Sequence, residues 1–205
     1  MKSIAIFFVI ITSVIASCKH LDPNKQIDEG NVKGEIYESK DIGWSIEIPK
    51  GWSVISKDYL EKCDQKGKDA LQKVYKSDID FKGLKHLISF KKDKFNCFSS
   101  TSEPFKEDHV GEYEENNKLL NELLYKTFCD QEIKTDTSSG KEIIQGLEFN
   151  TFHVTFNSPD SKFVLNQIYY SKLINGFDFG VNINYTNEED RKTMVDAWEK
   201  SKFNK

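Results

Sequence analysis

The sequence predicts an α+β fold in which helices cover an antiparallel β-sheet. Two observations support this class. Segments of alternating polarity are joined by short turns, as in β-hairpins. Three segments of helical periodicity are distributed between them rather than grouped at one end of the chain. The expected order is strand, strand, helix, strand, helix, three strands, helix, within one domain over residues 36–205.

The first half of this domain begins with a hairpin. Strands are predicted over residues 35–39 and 44–49 because Trp44 and Ile46 alternate with polar residues. A helix starting near Lys57 or Asp58 follows. Its apolar face consists of Leu60, Cys63, Gly67, Leu71 and Val74. A strand is expected over residues 84–92, and its extension to Phe98 is left open.

The second half contains two more helices around a strand meander. Acids crowd residues 103–115, which favours a helix that starts after Pro104 and runs to about Phe128. Strands are predicted over residues 141–156, 162–174 and 177–185, with residues 138–141 as a hairpin turn. Two further turns and a cap delimit these elements: residues 157–160, Asn175-Gly176 as a type I′ turn, and Asn187 at the start of the last helix.

The last predicted strand has two distinct faces. Its apolar face is formed by Phe177, Phe179, Val181, Ile183 and Tyr185. The intervening residues are polar or small: Asp178, Gly180, Asn182 and Asn184. Because side chains alternate along a strand, one face belongs to the core and the other to solvent.

The N-terminal segment indicates export and anchoring. Lys2 precedes an apolar run over residues 4–16 that is too short to span a bilayer, as in a secretory signal peptide. The run closes with Ile15-Ala16-Ser17-Cys18, which resembles the lipobox of bacterial lipoproteins. That resemblance implies cleavage after residue 17 and a lipid on the thiol of Cys18. An ordinary cleaved signal is the alternative.

The predicted location follows from this reading. Residues 18–35 are polar and are expected to form a flexible tether between the lipidated Cys18 and the domain. The membrane, reached through the lipid, and an envelope protein are the expected partners. If the envelope is Gram-negative, Lys19 after the cysteine favours the outer membrane by the same resemblance. The formal net charge of −4 argues against nucleic acid as a partner.

Three further thiols remain beside Cys18. An extracytoplasmic location permits one disulfide, and all three pairings are open. Cys63 is expected to be buried on its helix as a small apolar residue. A bridge between Cys97 and Cys129 is therefore the favoured pairing.

The order of elements and two sequence segments resemble the PsbP-like superfamily. The segments are residues 41–52, with Ile48-Pro49 followed by Gly51-Trp52, and residues 198–203. This superfamily contains the extrinsic photosystem subunit PsbP, a nuclear-import factor and many bacterial lipoproteins. The resemblance implies an α/β/α sandwich in which Trp52 and Phe203 are packing residues. It implies no functional site, because members do different jobs.

Candidate site residues are few. The group Glu107, Asp108, His109 and Glu112 is the best metal candidate, although a solvated helix end explains it equally. The sequence has no nucleophile motif or phosphate-binding loop, and no cofactor is expected. We therefore expect a non-catalytic binding or assembly module. The alternatives are a small-ligand or metal-binding protein and a hydrolase built on paired carboxylates.

Overall fold

The computed structural model describes residues 21–75, 83–130, 134–157 and 164–204. These residues form three α-helices and two antiparallel sheets. The helices are α1 (Lys57–Tyr75), α2 (Glu112–Asp130) and α3 (Glu188–Glu199). The strands are β1 (Asn31–Lys33), β2 (Ile36–Ser39), β3 (Trp44–Glu47), β4 (Ser53–Val54), β5 (Lys85–Lys91), β6 (Cys97–Pro104), β7 (Lys134–Ile144), β8 (Leu147–Asn157), β9 (Val164–Ile174), β10 (Phe177–Tyr185) and β11 (Lys202–Phe203). The α+β class is confirmed.

The two sheets differ in size. The large sheet has the strand order β4-β5-β6-β10-β9-β8-β7, and the small sheet has the order β1-β2-β3-β11. Strand β10 pairs with β9 through a tight turn and with β6 on its other side. It therefore lies at the centre of the large sheet.

Two hairpins of the large sheet use the same turn geometry. Asn175 and Gly176 both have positive φ, 53° and 81°, as the predicted type I′ turn requires. Gln145 and Gly146 repeat this geometry with φ of 51° and 79°. The prediction of one strand over residues 141–156 is therefore wrong, because the chain reverses within it. Residues 138–141 are not a turn either, since they pair with β8 inside β7.

Aromatic rings join the two sheets and α3 into one core. Trp198 of α3 lies 5.2 Å from the ring of Phe149 and 6.0 Å from that of Trp44 in β3. Phe179 of β10 lies 5.0 Å from Trp44, and Phe203 packs against Trp198 at 6.0 Å. These centroid distances fall in the range of favourable edge and offset contacts. The packing role expected for Phe203 is confirmed.

The remaining packing expectations hold at both ends of the domain. Trp52 is buried and its ring meets Phe90 edge-on at 5.9 Å. The side chain of Asn187 caps α3 by accepting a hydrogen bond from the Asp190 amide at 2.9 Å. Helix α1 begins at Lys57, as predicted. The Asn187 cap and the start of α1, both predicted from the neighbouring sequence, are therefore confirmed.

Other boundaries differ from expectation. Pro104 ends β6 instead of starting a helix, and α2 begins only at Glu112. Strand β6 itself was not separated from the strand over residues 84–92. Its inward residues include Ser100, whose hydroxyl donates to the Ile88 carbonyl and accepts from the Ile88 amide. Because serine occupies a core position of β6 that is usually apolar, the alternation of apolar and polar residues is weak there. The sequence therefore did not predict β6 as a separate strand.

The predicted Cys97–Cys129 disulfide and the predicted burial of Cys63 are wrong. Cys63, Cys97 and Cys129 are free thiols, and Cys63 and Cys129 are exposed. Cys129 lies in the last turn of α2, where the neighbouring Phe128 packs on Phe156 of β8. Strands β10 and β9 separate β8 from β6, a distance of about 14 Å across the sheet, whereas a disulfide needs Cα atoms within about 7 Å.

The predicted flexible tether is also wrong from Leu21 onward. The Asn24 side chain bonds the Val32 amide and carbonyl at 2.8 and 3.0 Å, and β1 pairs with β2. Asp28 accepts a hydrogen bond from the His86 amide of β5 and forms a salt bridge with Lys57 of α1. Residues 21–34 are therefore packed on the domain. Residues 18–20 lie outside the described residues, as do the signal segment and most of the turn at 157–160.

A close backbone approach in this segment can be tested. At Gly30, with φ of 86°, an added Cβ would lie 2.4 Å from the Glu38 carbonyl oxygen. We expect Gly30→Ala to lower the free energy of unfolding by about 2 kcal/mol or more, measured by urea denaturation. Gly34→Ala is the matched control, because its φ is 61° and it has open space around the Cβ. It should lose only about 1 kcal/mol. Equal losses would contradict the packed segment.

Candidate functional site

A groove of about 250 Å³ separates α2 from one face of the large sheet. The face is the one opposite Phe179 and Trp198, so it carries the polar side of β10. Residues of α2 form one wall, and residues of β6, β8, β9 and β10 form the floor. The groove is the candidate functional site, since ligand sites in proteins are concave and combine apolar walls with a few polar groups.

The floor of the groove is low and polar because of one cross-strand row. Asn150 of β8, Ser171 of β9, Gly180 of β10 and Thr101 of β6 are successive register partners. Gly180 contributes no side chain, and a Cβ placed there would lie 3.2 Å from the Thr101 hydroxyl. This glycine opens the middle of the floor without any requirement for positive φ.

A half-buried carboxyl group lies at one end of the floor. Asp178 is two residues before Gly180 on the same face of β10, and its Oδ1 accepts a hydrogen bond from the Tyr113 hydroxyl at 2.7 Å. Burial raises the pKa of Asp178, and the Tyr113 hydrogen bond opposes that shift. Burial and the Asp178 charge in turn raise the pKa of Tyr113. Asp178 also pairs in register with Glu103 of β6, which lines the same groove.

A second polar group lies at the other end. The Oδ1 atom of Asn182 is buried and has no hydrogen-bond partner among the described residues. Beside it, the Tyr169 hydroxyl donates to Gln167 at 2.7 Å, and burial raises the pKa of Tyr169 to about 12. The rings of Tyr169 and Phe152 lie 6.2 Å apart. This end of the groove therefore combines an unsatisfied acceptor with aromatic surface.

Helix α2 forms the wall through a mixture of leucine and asparagine. Leu120, Leu124 and Asn121 line the groove, and Asn117 accepts a 2.6 Å hydrogen bond from the Ser171 hydroxyl. Leu120 remains 47% exposed. A second cavity, of about 370 Å³, lies on the other side of the helix against β7. The helix thus rests on the sheet at a few contacts and leaves space on both sides.

The predicted metal residues lie outside this groove, where three of them help to organise the start of α2. Glu112 accepts a hydrogen bond from the Asp108 amide, and Glu107 accepts one from the Tyr113 amide at 3.1 Å. His109 lies 3.8 Å from Glu112 and 3.4 Å from Glu115. In the described ranges, no three His, Cys, Asp or Glu side chains are arranged to hold a metal ion.

The other candidate site residues do not meet. Cys18 lies outside the described residues. Cys97 lies in β6 and Cys129 lies in the last turn of α2, too far apart to form a disulfide. Sequence reasoning assigned Asp178 and Asn182 to a solvent-facing strand side, although α2 and the groove cover them. The alternation along β10 gave a signal for these residues. No local signal connected Asp178 with Tyr113 or with Glu103.

Comparison with known proteins identifies the fold. No protein-family model and no curated protein matches the chain. The solution structure of PsbP from the cyanobacterium Synechocystis sp. PCC 6803 is similar, with a TM-score of 0.51 over 85% of this chain and 96% of that one. The chain has a PsbP-like fold. At 12% sequence identity, the PsbP-like similarity establishes the fold alone.

None of the helices in residues 21–75, 83–130, 134–157 and 164–204 is long and apolar enough to cross a bilayer.

Proposed function

We propose that the protein is an extracytoplasmic lipoprotein whose PsbP-like domain is a non-catalytic binding module. Cys18 carries the lipid, and the membrane surface is the first partner. The groove between α2 and the large sheet receives a small ligand. Its volume of about 250 Å³ suits a compact molecule rather than a protein segment.

The observation that carries the binding role is the polar floor under α2. A helix that only covered a sheet would be expected to meet apolar side chains there, because apolar contact is what holds such layers together. Here Asn150, Thr101, Asn182 and Asp178 face the helix instead. Among these groups the Asn182 Oδ1 atom is buried without a partner, which is unfavourable unless something satisfies it, and a bound ligand would do so.

A carboxylate-dependent hydrolase is the second candidate. It is supported by Asp178 and Glu103, which face each other across β10 and β6, and by the raised pKa of Asp178. Such a pair can divide general acid and base roles. Binding is favoured because Tyr113 already occupies one oxygen of Asp178, which leaves that carboxyl less free to exchange a proton with a substrate.

Binding in the groove is tested by thermal denaturation of the full chain in mild detergent. A panel of sugars, amines, amino acids and short peptides is screened for a rise in melting temperature. A ligand present at about 100 times its Kd stabilises the native state by about 2.7 kcal/mol. Gly180→Val should abolish the rise by filling the groove, since its side chain projects from the floor.

The matched control for this experiment is Gly140→Val in β7. Its Cβ would also lie 3.2 Å from a threonine hydroxyl, that of Thr151, but Gly140 lines the second cavity and not the groove. It should leave the ligand effect unchanged. A panel without any stabilising ligand, or equal effects of the two substitutions, would contradict groove binding.

Anchoring is tested separately by Cys18→Ser. We expect the variant to leave the membrane fraction, because stable attachment depends on acyl chains at this thiol. The measurement is the distribution between membrane and soluble fractions after a high-salt wash. Cys129→Ser is the control, as it removes an exposed thiol in α2 and should remain with the membranes. Salt-resistant membrane attachment of Cys18→Ser would overturn the lipid anchor.

A further inference from the structure

We propose that the groove binds a small organic ammonium ion and that Asp178 supplies the counter-charge. The proposal rests on the groove being the binding site and goes further by naming the chemical class of its ligand. It follows from the charge of the lining, the environment of Asp178 and the position of Asn182.

The only side chains in the groove lining that carry a charge at neutral pH are acidic. Its ionisable side chains are the carboxyl groups of Asp178 and Glu103 and the phenols of two tyrosines. The lining contains neither lysine, arginine nor histidine. An anionic ligand would meet two acids at adjacent register positions of β10 and β6 and would be repelled. A cation is attracted at the same place.

Asp178 is half-buried and has no cationic partner among the described residues. Its one hydrogen bond within the described chain comes from Tyr113. An ionised carboxylate can accept about four hydrogen bonds. A buried charge is usually paired with an opposite charge, because separation from water is otherwise unfavourable. An ammonium group supplies both a positive charge and three N–H donors.

Asn182 provides a second acceptor on the same face. Asp178, Gly180 and Asn182 alternate along β10, so the Cα atoms of Asp178 and Asn182 are about 13 Å apart with the bare glycine between them. The Asn182 Oδ1 atom is buried and unpartnered. An ammonium head bound at Asp178 therefore places the rest of the ligand over Gly180, and only an extended ligand with a further donor at its far end also reaches Asn182.

The apolar part of the site fits the rest of such a ligand. Tyr169 and Phe152 offer ring surfaces beside Asn182, at the end of the groove away from Asp178, where they can cover the apolar part of a ligand. Leu120 and Leu124 of α2 lie on the opposite wall and can cover a short alkyl chain. The groove is thus acidic at Asp178 and apolar along its wall, which matches an alkylammonium better than a sugar.

The proposal is tested by calorimetric titration of the full chain with n-butylamine and 1,4-diaminobutane, at constant ionic strength set with sodium chloride. We expect saturable binding of the amines and at least about tenfold weaker binding of 1-butanol, which has the same chain without the charge. Asp178→Asn should weaken amine binding by a factor of about 10 to 100, as does loss of a charged hydrogen bond. Asp196→Asn on α3 removes one carboxylate outside the groove and should have no effect.

If Asp178→Asn does not fold, a second pair of variants tests whether the groove binds the amine. Leu120→Lys introduces an ammonium group at the wall of the groove, where it competes with added amine. Leu119→Lys adds the same charge at the next, 61% exposed position, which does not line the groove. Weaker amine binding in the first variant alone supports the proposal. Equal binding in both, or equal binding of 1-butanol and n-butylamine, overturns it.

Failure of this proposal is distinguishable from failure of groove binding. If sugars or peptides raise the melting temperature and Gly180→Val removes the effect, the groove is a binding site but the ammonium assignment is wrong. If no compound of the panel binds, both proposals fall.

Discussion

Strand β10 is the constraint on which the rest of the structure depends. Its Phe179, Val181 and Ile183 side chains are buried in the aromatic core that joins α3 to both sheets. Because side chains alternate, this burial fixes Asp178, Gly180 and Asn182 on the other face. A shift of one residue would expose three apolar side chains and bury a carboxylate among aromatic rings. The packing of the core therefore also determines the floor of the groove.

Helix α2 converts that polar face into a concave site. It is held near its start by the Tyr113–Asp178 and Asn117–Ser171 hydrogen bonds and near its end by the contact of Phe128 with Phe156. Between these points the sheet offers small and polar side chains, so the helix does not pack closely. The cavities on both of its sides follow from this. The loose packing of α2 on the sheet contributes less to stability than a close-packed layer would, but it leaves space for a ligand.

Features with local causes could be predicted from the sequence. The alternation of β10, the Asn187 cap and the Asn175-Gly176 turn each depend on residues within a few positions, and all are present. The Gln145-Gly146 turn was missed because glutamine rarely adopts positive φ. Strand β6 was missed because Ser100 and Ser102 occupy core positions normally held by apolar residues.

Features that depend on contacts between residues far apart in the sequence could not be predicted. Residues 21–34 looked like a polar tether, yet Asp28 is fixed by the His86 amide, 58 residues later in the chain. The groove depends on Asp178 meeting Tyr113, 65 residues earlier, and Glu103 across the sheet. Composition does not reveal such pairings. The resemblance to PsbP-like proteins correctly indicated the layers but carried no information about this site.

The central claim is that the Asp178 carboxyl group is held away from water beneath α2. The most direct measurement is the carbon-13 resonance of that carboxyl group, followed by NMR through a pH titration of the ligand-free protein. The account predicts a pKa above the ordinary value of 3.8, because burial disfavours the charged form more than Tyr113 stabilises it. A pKa at or below 3.8 would contradict the account, since it would place Asp178 in water or beside a cation.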